Sequence, residues 1–369
     1  MRNLYSIYTI ALLAIFWIAL DSCNKRVDGI DNNVVIETPY TLYFCDSSGA
    51  LYNTNDGIGV KKMVFTADGS LPRAICLSGT DILWVKMGMY ISQNNGQNFN
   101  SCAYFDPAHT PNNPILFFDI NPASLNQSLV LNSQDENLVY VCTSTPRAGS
   151  VPGIGVAYSN QNGNAFTWVI DTNYNNFPLS TSNVAISSLT ELANNTIVGY
   201  DTFTNQTYTK ASATAAWFQQ KQTVALPLPC GGFTLGHFNN MLVAIDNVHG
   251  LGAYYSNDFG QTWAKFSGLP AGRNLYSVAS PFDQVLLVGT DSMGVYKLTA
   301  DNSTVFSSAN IGMESFATVR GIAAKSNIYK EDGKAQLYIF LATDKGLFKS
   351  VDLGQSWIRV QAGNFVAAY

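Results

Sequence analysis

Four of the seven arginines could form an anion-binding site. A guanidinium group donates hydrogen bonds in a planar fork that matches a carboxylate or a phosphate. Three of these arginines stand at or just before predicted strands, namely Arg73, Arg273 and Arg320. The fourth, Arg147, stands in a predicted loop. If the fold brings them together, they would bind an anionic ligand. The alternative is four unrelated arginines that lie on the surface or form ion pairs.

Paired carboxylates would indicate a different chemistry. Two carboxylates that face each other across a cleft can hydrolyse a glycosidic bond. The candidates for such a pair are Asp68, Asp106, Asp171, Asp246, Asp291 and Glu314. A recurring set of aspartates ends predicted strands, where Asp commonly forms turns: Asp201, Asp246, Asp291 and Asp344. The sequence therefore singles out no catalytic pair.

Other reaction classes have less support. The three histidines, His109, His237 and His249, show no metal-ligand spacing, and the chain has no GxSxG, phosphate-loop or HExxH motif. We therefore predict no metal and no cofactor. Only 12% of the residues are charged, the net charge is -5, and no run of Lys or Arg occurs, which argues against nucleic acid as a partner.

A repeated segment indicates how these residues are positioned. The segment YYSNDFGQTW (254–263) returns as LFKSVDLGQSW (347–357), and weaker copies occur at 89–99 and 157–168. Aligned on the leading aromatic residue, seven units appear, with successive anchors 38 to 68 residues apart. The anchors are Tyr52, Tyr90, Tyr158, Tyr208, Tyr255, Tyr296 and Phe348. Repeats of roughly 40 to 50 residues are typical of β-propellers.

Each unit is predicted to contain four short strands. Two apolar stretches precede each anchor, the anchor lies on the third strand, and the repeated Trp begins the fourth. The first unit lacks its first strand, which residues 363–369 can supply to close the ring. We therefore predict an all-β fold, a single seven-bladed β-propeller of four-stranded blades over residues 38–369. The longest insertion, 106–126, contains an ILFF stretch that suits an extra strand, a lid or a docking patch.

The repeat resembles the Asp-box, S-x-D-x-G-x-[ST]-W. Its two fullest copies consist of Ser256, Asp258, Gly260, Thr262 and Trp263, and of Ser350, Asp352, Gly354, Ser356 and Trp357. The resemblance to Asp-box propellers covers residues 40–369. That family includes sialidases, xyloglucan-cleaving glycosidases, sortilin-type receptors and the photosystem II assembly factor. The resemblance implies that the boxes are peripheral and structural, and that ligands bind on the central loop face.

The same resemblance implies two functions. Sialidases place three arginines on the sialic-acid carboxylate, but they have six blades and an Arg-Ile-Pro motif, whereas this chain has LPRAIC (71–76). We therefore predict a non-catalytic propeller that binds a protein or a glycan through its loop face. The alternative is a glycoside hydrolase of exo-sialidase or xyloglucanase type.

The N-terminus predicts a membrane anchor. Arg2, an apolar run from Ile7 to Leu20 and LDSC (20–23) resemble a bacterial lipoprotein signal; a plain transmembrane anchor is the alternative. We predict a signal peptide at 1–22, lipidation of Cys23, a linker at 23–37 and a place in the cell envelope on a bacterial membrane. The other cysteines, Cys45, Cys76, Cys102, Cys142 and Cys230, suit buried thiols, with one or two disulfides as an alternative.

Overall fold

The computed structural model describes most of the chain between residues 35 and 368. The described ranges are 35–37, 42–54, 61–65, 74–78, 81–85, 89–94, 98–105, 115–116, 129–131, 138–142, 156–160, 168–171, 184, 186–201, 204–212, 215–228, 232–299, 304–329 and 335–368. The chain divides into two compact units: residues 1–36 with 327–336, and residues 37–326 with 337–369. The predicted signal peptide, Cys23 and most of the predicted linker lie outside the described residues.

The described residues form thirty-one strands, and the bounds follow in chain order. The first sixteen are β1 (Val35–Glu37), β2 (Leu42–Asp46), β3 (Ala50–Thr54), β4 (Lys61–Phe65), β5 (Ala74–Ser78), β6 (Asp81–Val85), β7 (Met89–Ser92), β8 (Asn100–Ser101), β9 (Ala103–Phe105), β10 (Ile115–Leu116), β11 (Leu129–Leu131), β12 (Val139–Cys142), β13 (Val156–Ser159), β14 (Trp168–Ile170), β15 (Ile186–Glu191) and β16 (Ile197–Asp201). The others are β17 (Gln206–Lys210), β18 (Phe218–Gln219), β19 (Phe233–Phe238), β20 (Met241–Asp246), β21 (Ala253–Ser256), β22 (Ala264–Lys265), β23 (Leu275–Ala279), β24 (Val285–Thr290), β25 (Val295–Thr299), β26 (Ser307–Ser308), β27 (Val319–Tyr329), β28 (Ala335–Thr343), β29 (Gly346–Ser350), β30 (Ile358–Gln361) and β31 (Phe365–Ala368).

Seven sheets of the larger unit share one pattern of four successive strands. In order they are blade 1 (β31-β2-β3-β4), blade 2 (β5 to β8), blade 3 (β11 to β14), blade 4 (β15 to β18), blade 5 (β19 to β22), blade 6 (β23 to β26) and blade 7 (β27 to β30). One three-residue 3-10 turn, Pro281–Asp283, interrupts the strands. Among the described residues, no helix is long and apolar enough to cross a membrane.

The first strands of the blades form an inner ring. Each one contacts the first strand of the next blade from β31 through β5, β11, β15 and β19 to β23. The Ser277 hydroxyl on β23 donates to the Val319 carbonyl on β27, at 3.3 Å. A Cβ on Gly321 of β27 would lie only 2.6 Å from the Ala368 nitrogen on β31, which brings the ring back to blade 1. The fold is therefore the predicted seven-bladed propeller.

The C-terminal strand closes the ring as predicted. β31 pairs antiparallel with β2, with Phe44 opposite Ala368 and Asp46 opposite Phe365. The Phe365 ring is buried and meets the Phe44 ring edge-on, with ring centres 5.2 Å apart. Edge-to-face aromatic pairs add to the stabilisation from burial. Blade 1 is thus completed by residues from both ends of the propeller sequence.

The aromatic anchors lie where the sequence predicts. All seven are on the third strand of their blade, from Tyr52 on β3 to Phe348 on β29. Apolar clusters lie between neighbouring blades: Trp357 packs with Leu287 of blade 6 and Leu341 of blade 7. Burying such large rings between sheets supplies much of the hydrophobic stabilisation.

The insertion after blade 2 adds strands to blade 3. Ile115 and Leu116 form β10, which pairs with β9, and β9 runs parallel to the outer strand β14, with Tyr104 opposite Trp168. The extra-strand interpretation of the ILFF stretch is therefore confirmed for Ile115 and Leu116. The remainder of 106–126 lies outside the described residues.

Candidate functional site

The octapeptide at 256–263 forms a compact turn between the third and fourth strands of blade 5. The Ser256 hydroxyl donates to Asp258 Oδ1 at 2.7 Å and accepts from the Gly260 N–H at 2.7 Å. Asp258 accepts from the Thr262 N–H at 2.9 Å and from the Thr262 hydroxyl at 2.6 Å. Gly260 has φ +88°, which only glycine adopts readily. The polar side chains of this segment are engaged in holding its own backbone.

The octapeptide at 350–357 repeats this geometry in blade 7. Asp352 accepts from the Ser356 N–H at 2.9 Å, from the Ser356 hydroxyl at 2.5 Å and from the Gln355 N–H at 3.0 Å. Partial burial disfavours the carboxylate, but these hydrogen bonds outweigh it and lower the pKa of Asp352 to about 2. The Trp357 indole N–H donates to the Ala309 carbonyl of the preceding blade connection at 2.7 Å. The segment therefore joins two blades.

A weaker copy in blade 2 keeps part of the network with Asn in place of Asp. The Ser92 hydroxyl donates to Asn94 Oδ1 at 3.0 Å, and the Asn98 N–H donates to the same oxygen at 2.9 Å. An uncharged side chain thus fills the position. A structural role explains this substitution, because the turn needs an acceptor oxygen and not an ionised acid.

The chain reversals lie at two opposite ends of the propeller. Because the strands of each blade are antiparallel, first-to-second and third-to-fourth turns lie at one end, here called the turn face. Second-to-third turns and the connections between blades lie at the other end, here called the loop face. The octapeptides belong to the turn face. The loop face is described most fully in blades 5 to 7, at 246–252, 268–274, 290–294, 309–318 and 343–346.

Backbone hydrogen bonds tie the loop face together in a repeated way. In blades 1, 5, 6 and 7, the residue after the second strand donates its N–H to the carbonyl of the residue just before the first strand. The bonds are Asn247 to Gly232 at 2.9 Å, Asp291 to Asn274 at 2.9 Å, Asp344 to Thr318 at 3.2 Å and, in blade 1, Ser47 to Asn364 at 2.8 Å. These bonds fix neighbouring loops against each other and give the loop face a defined shape.

Aspartates at the loop face hold turns, as the sequence predicts. Asp246 is completely buried and accepts from the backbone N–H groups of His249 and Leu251, the latter at 2.7 Å. The Asp344 carboxylate accepts from the Thr318 N–H at 2.8 Å. His249 Nδ1 lies 3.4 Å from Asp246 Oδ1. These carboxylates are engaged with backbone rather than presented together to a substrate.

The interpretation of Asp171 as a rim carboxylate is wrong. Its Oδ2 lies 2.5 Å from Lys210 Nζ and accepts from the Trp217 indole N–H at 2.8 Å, and the whole group is buried between blades 3 and 4. The Lys210 ammonium also lies 5.5 to 5.7 Å from the ring centres of Tyr140, Tyr158 and Trp217. The sequence could not show this, because Lys210 and Trp217 belong to the next blade.

The other candidate carboxylates have various environments. Glu314 forms an ion pair with Arg359 on the surface. The Asp291 carboxylate accepts from the Ser292 hydroxyl at 3.0 Å. Asp68 and Asp106 lie outside the described residues.

Two of the four predicted arginines are described. Arg273 is exposed and lies two residues before β23. Arg320 lies on β27, half-buried, with its guanidinium 5.2 Å from the centre of the Tyr276 ring. Both thus stand at the beginning of inner strands, in blades 6 and 7. Arg73 and Arg147 lie outside the described residues, and convergence of the four stays a prediction.

Two apolar side chains are exposed on the loop face of blades 6 and 7. Phe316 is 75% exposed with φ +60°, a strained conformation for a bulky residue, and Met293 is 37% exposed. The Gly294 N–H donates to the Ala317 carbonyl at 2.9 Å, so the loops that carry Met293 and Phe316 touch. Sequence reasoning missed this pair, because single apolar residues in loops carry no periodic signal.

The described cysteines agree with buried thiols. Cys45, Cys102 and Cys142 are reduced and buried, and burial raises the pKa of the Cys142 thiol. Cys76 lies on β5, and Cys230 lies outside the described residues.

Comparison with known proteins supports the fold class. No family model matches the chain, and no curated protein sequence matches it significantly. The Asp-box resemblance therefore stays a prediction. Among solved structures, YCF48 bound to D1 peptide is 13% identical with a TM-score of 0.52, over 86% of this chain and 91% of that one. Streptogramin B lyase is 11% identical with a TM-score of 0.51, over 84% of this chain and 94% of that one.

A third similar structure, an ancestral GH74 enzyme, has a TM-score of 0.46 at 13% identity, over 88% of this chain and 40% of that chain. That similarity is too low to support an argument about function. The two matches with TM-scores above 0.5 agree with this fold. Together with the seven sheets, they define the chain as a seven-bladed β-propeller.

Proposed function

We propose that this protein is a non-catalytic propeller that binds a protein segment through its loop face. The observation that carries the proposal is the exposed pair Met293 and Phe316 on loops that are fixed to each other. Exposed aromatic residues on a rigid surface are typical of binding hot spots.

A guanidinium group next to this pair would suit an anionic ligand group. Asn274, which follows Arg273, accepts the N–H of Asp291, so the loop with Arg273 adjoins the loop with Met293. Lys345 lies on the next second-to-third turn, and its charge is balanced by Asp344, whose Oδ2 is 3.9 Å from Lys345 Nζ. A peptide with an apolar side chain and a nearby carboxylate would match both features. The similarity in fold to YCF48 bound to a peptide supports a peptide ligand.

The alternative, a glycoside hydrolase, has less support. Hydrolysis of the xyloglucanase type needs two carboxylates that both reach the substrate. Asp246 is buried under backbone donors, Asp171 is paired with Lys210, and Glu314 is paired with Arg359. Their present partners explain these carboxylates without a substrate.

Binding by the loop face can be tested with a displayed peptide library and, in parallel, a glycan array. We expect the protein to select peptides and Phe316→Ala to weaken the selected binding about ten- to a hundredfold, as for a hot-spot residue. Phe218→Ala is the matched control, because Phe218 is 47% exposed on the outer strand of blade 4. Equal binding by the Phe316 variant, selection of glycans alone, or release of sugar from β-glucan or sialylated substrates would contradict the proposal.

We also propose that the propeller is anchored to a bacterial membrane by a lipid on Cys23. The support is the apolar run followed by LDSC in the sequence. Cys23→Ala should abolish labelling with palmitate and leave the propeller folded, as measured by its melting temperature. Undiminished labelling of the variant would exclude this anchor.

A further inference from the structure

Three polar side chains from three successive blades meet at the turn face. His237 lies on the inner strand β19 of blade 5, and its Nδ1 is 3.1 Å from the hydroxyl of Thr190 on the inner strand β15 of blade 4. On the other side, His237 Nε2 is 4.0 Å from Oδ1 of Asp283, in the 3-10 turn of blade 6. The imidazole thus stands between a hydroxyl and a carboxylate that both come from neighbouring blades.

Exposure increases along this line of groups. Thr190 is buried, the His237 side chain is 33% exposed, and the Asp283 side chain is 48% exposed. The Thr190 hydroxyl therefore holds the inner nitrogen of the ring, and solvent reaches its outer side. A separation of 4.0 Å is too long for a direct hydrogen bond between Nε2 and Asp283.

The position of Asp283 is fixed by its own turn. Phe282 and Asp283 have φ of +56° and +52°, two successive residues in the left-handed region. The Phe282 ring packs against the apolar cluster between blades 6 and 7, and the Ser280 hydroxyl donates to Asp283 Oδ1 at 3.2 Å. The adjacent turns of blades 4 and 5 are linked as well, because the Ala193 N–H donates to the Asn239 carbonyl at 3.2 Å. Blades 4, 5 and 6 are therefore joined at this part of the turn face.

The surroundings of His237 favour the neutral ring. Burial lowers the pKa of His237 below its ordinary value, and the charge of Asp283 opposes that shift only in part. Glu191 follows Thr190 on β15, and successive residues of a strand point to opposite faces, so its side chain is directed away from the Thr190 side. From the adjoining blades, Thr190 thus lies at Nδ1 of the ring and Asp283 at Nε2.

We propose that His237 is a pH-responsive joint that holds blades 4, 5 and 6 together at the turn face and loosens when it is protonated. Protonation places a charge on a ring that is mostly enclosed, and Asp283 is too distant for the ion pair to compensate fully. The ring then gains from moving towards solvent, and such a movement breaks its bond to Thr190. Because the pKa of His237 is lower in the folded protein than in the unfolded chain, the neutral ring stabilises the fold fully above the unfolded pKa of about 6.5. This stabilisation is lost as the pH falls below that value.

The first test measures the pKa of His237 by NMR titration of the full-length protein. The resonance is assigned by its loss in His237→Gln, and His249 provides an internal comparison. We expect a pKa below 6.5 in the parent and a lower one in Asp283→Asn, because that variant removes the charge that favours the imidazolium. A pKa of 6.5 or above, or no change in Asp283→Asn, would overturn the proposal.

The second test measures hydrogen exchange at pH 7.5 and pH 5.0 in the same protein. After correction for the slower intrinsic, base-catalysed exchange at pH 5.0, we expect lower amide protection factors at that pH in the turns at 192–196 and 239–240 in the parent and in His249→Gln. We expect no such loss of protection in His237→Gln, which cannot take up the proton. If His237→Gln loosens equally at pH 5.0, other groups cause the change and the joint does not exist. The titration in the first test remains informative even if one variant folds poorly.

Discussion

Asp352 shows how one carboxylate organises a whole turn. It accepts hydrogen bonds from Gln355, from the backbone of Ser356 and from the Ser356 hydroxyl, and these bonds lower its pKa to about 2. Blade 2 achieves a related turn with Asn94. The acceptor oxygen is therefore the essential feature, and the charge strengthens its hydrogen bonds.

We predict that Asp352→Ala lowers the free energy of unfolding by about 1–3 kcal/mol, because two N–H groups and the hydroxyls of Ser350 and Ser356 lose their acceptor. Asp352→Asn should cost less, since the acceptor stays. Because the folded pKa is depressed, the contribution of the ionised group is present above pH 3.8 and disappears as the pH falls towards 2. Chemical denaturation at pH 7 and pH 3 checks this. Equal stability of the Ala variant would contradict the prediction.

The buried pair of Asp171 and Lys210 gives a second prediction at this scale. Removing one partner leaves a buried charge without its counter-ion, which typically costs 3–5 kcal/mol. We therefore expect Lys210→Met to be strongly destabilised, as measured by denaturant unfolding. The double variant Lys210→Met with Asp171→Leu is the control and should recover part of the loss. A Lys210→Met protein as stable as the parent would show that the pair is not buried.

At the scale of elements, a recurring contact joins the outer edges of the blades. The segment that leaves one blade forms a parallel bridge to a residue of the next blade that lies two positions before its fourth strand. The pairs are Val224 with Thr262, Ser267 with Val305 and Ile311 with Ser356. At blade 3 the corresponding segment, which leaves blade 2, forms the strand β9 and pairs in parallel with β14. Neighbouring blades are thus linked at the outer edge as well as at the inner ring.

Two of these bridges are followed by a glycine at positive φ. A Cβ on Gly312 would overlap the Trp357 carbonyl oxygen, and one on Gly268 would overlap that of Phe306. We predict that Gly312→Ala lowers the melting temperature clearly more than Gly272→Ala. Gly272 also has positive φ, but a Cβ there meets nothing within 4 Å, so it reports the backbone cost alone, on the order of 1 kcal/mol. Equal melting temperatures would mean that the close approach is unimportant.

The sequence predicts the strands better than it predicts their lateral contacts. The seven anchors identify the third strands because large aromatic residues recur at each blade. The outer bridges involve one or two residues without any hydrophobic pattern, so no periodicity reveals them. The environment of Asp171 depends on a lysine 39 positions later. Loop conformations also decide whether Arg273 and Arg320 meet, and conformation at loops is the part that local sequence determines least.

For the whole molecule, the closing strand is the most sensitive element. Removal of 363–369 would expose β2 and delete the buried ring of Phe365, and loss of one large buried side chain costs about 3–5 kcal/mol. We predict that the truncated protein is insoluble, as measured by its soluble fraction on expression. Val366→Ala is the control, because that side chain is only partly buried. A truncated protein that melts at the parent temperature would exclude closure by β31.

The pairing of β2 with β31 also imposes an order on synthesis. The strand that carries Phe44 leaves the ribosome more than 300 residues before its partner Ala368. The blade that is begun first is therefore finished last, and its apolar edge stays open while the six others are translated. Contacts that distant in sequence fold slowly and leave nascent strands open to wrong partners. The open edge of β2 is therefore exposed to wrong pairing until β31 has been synthesised.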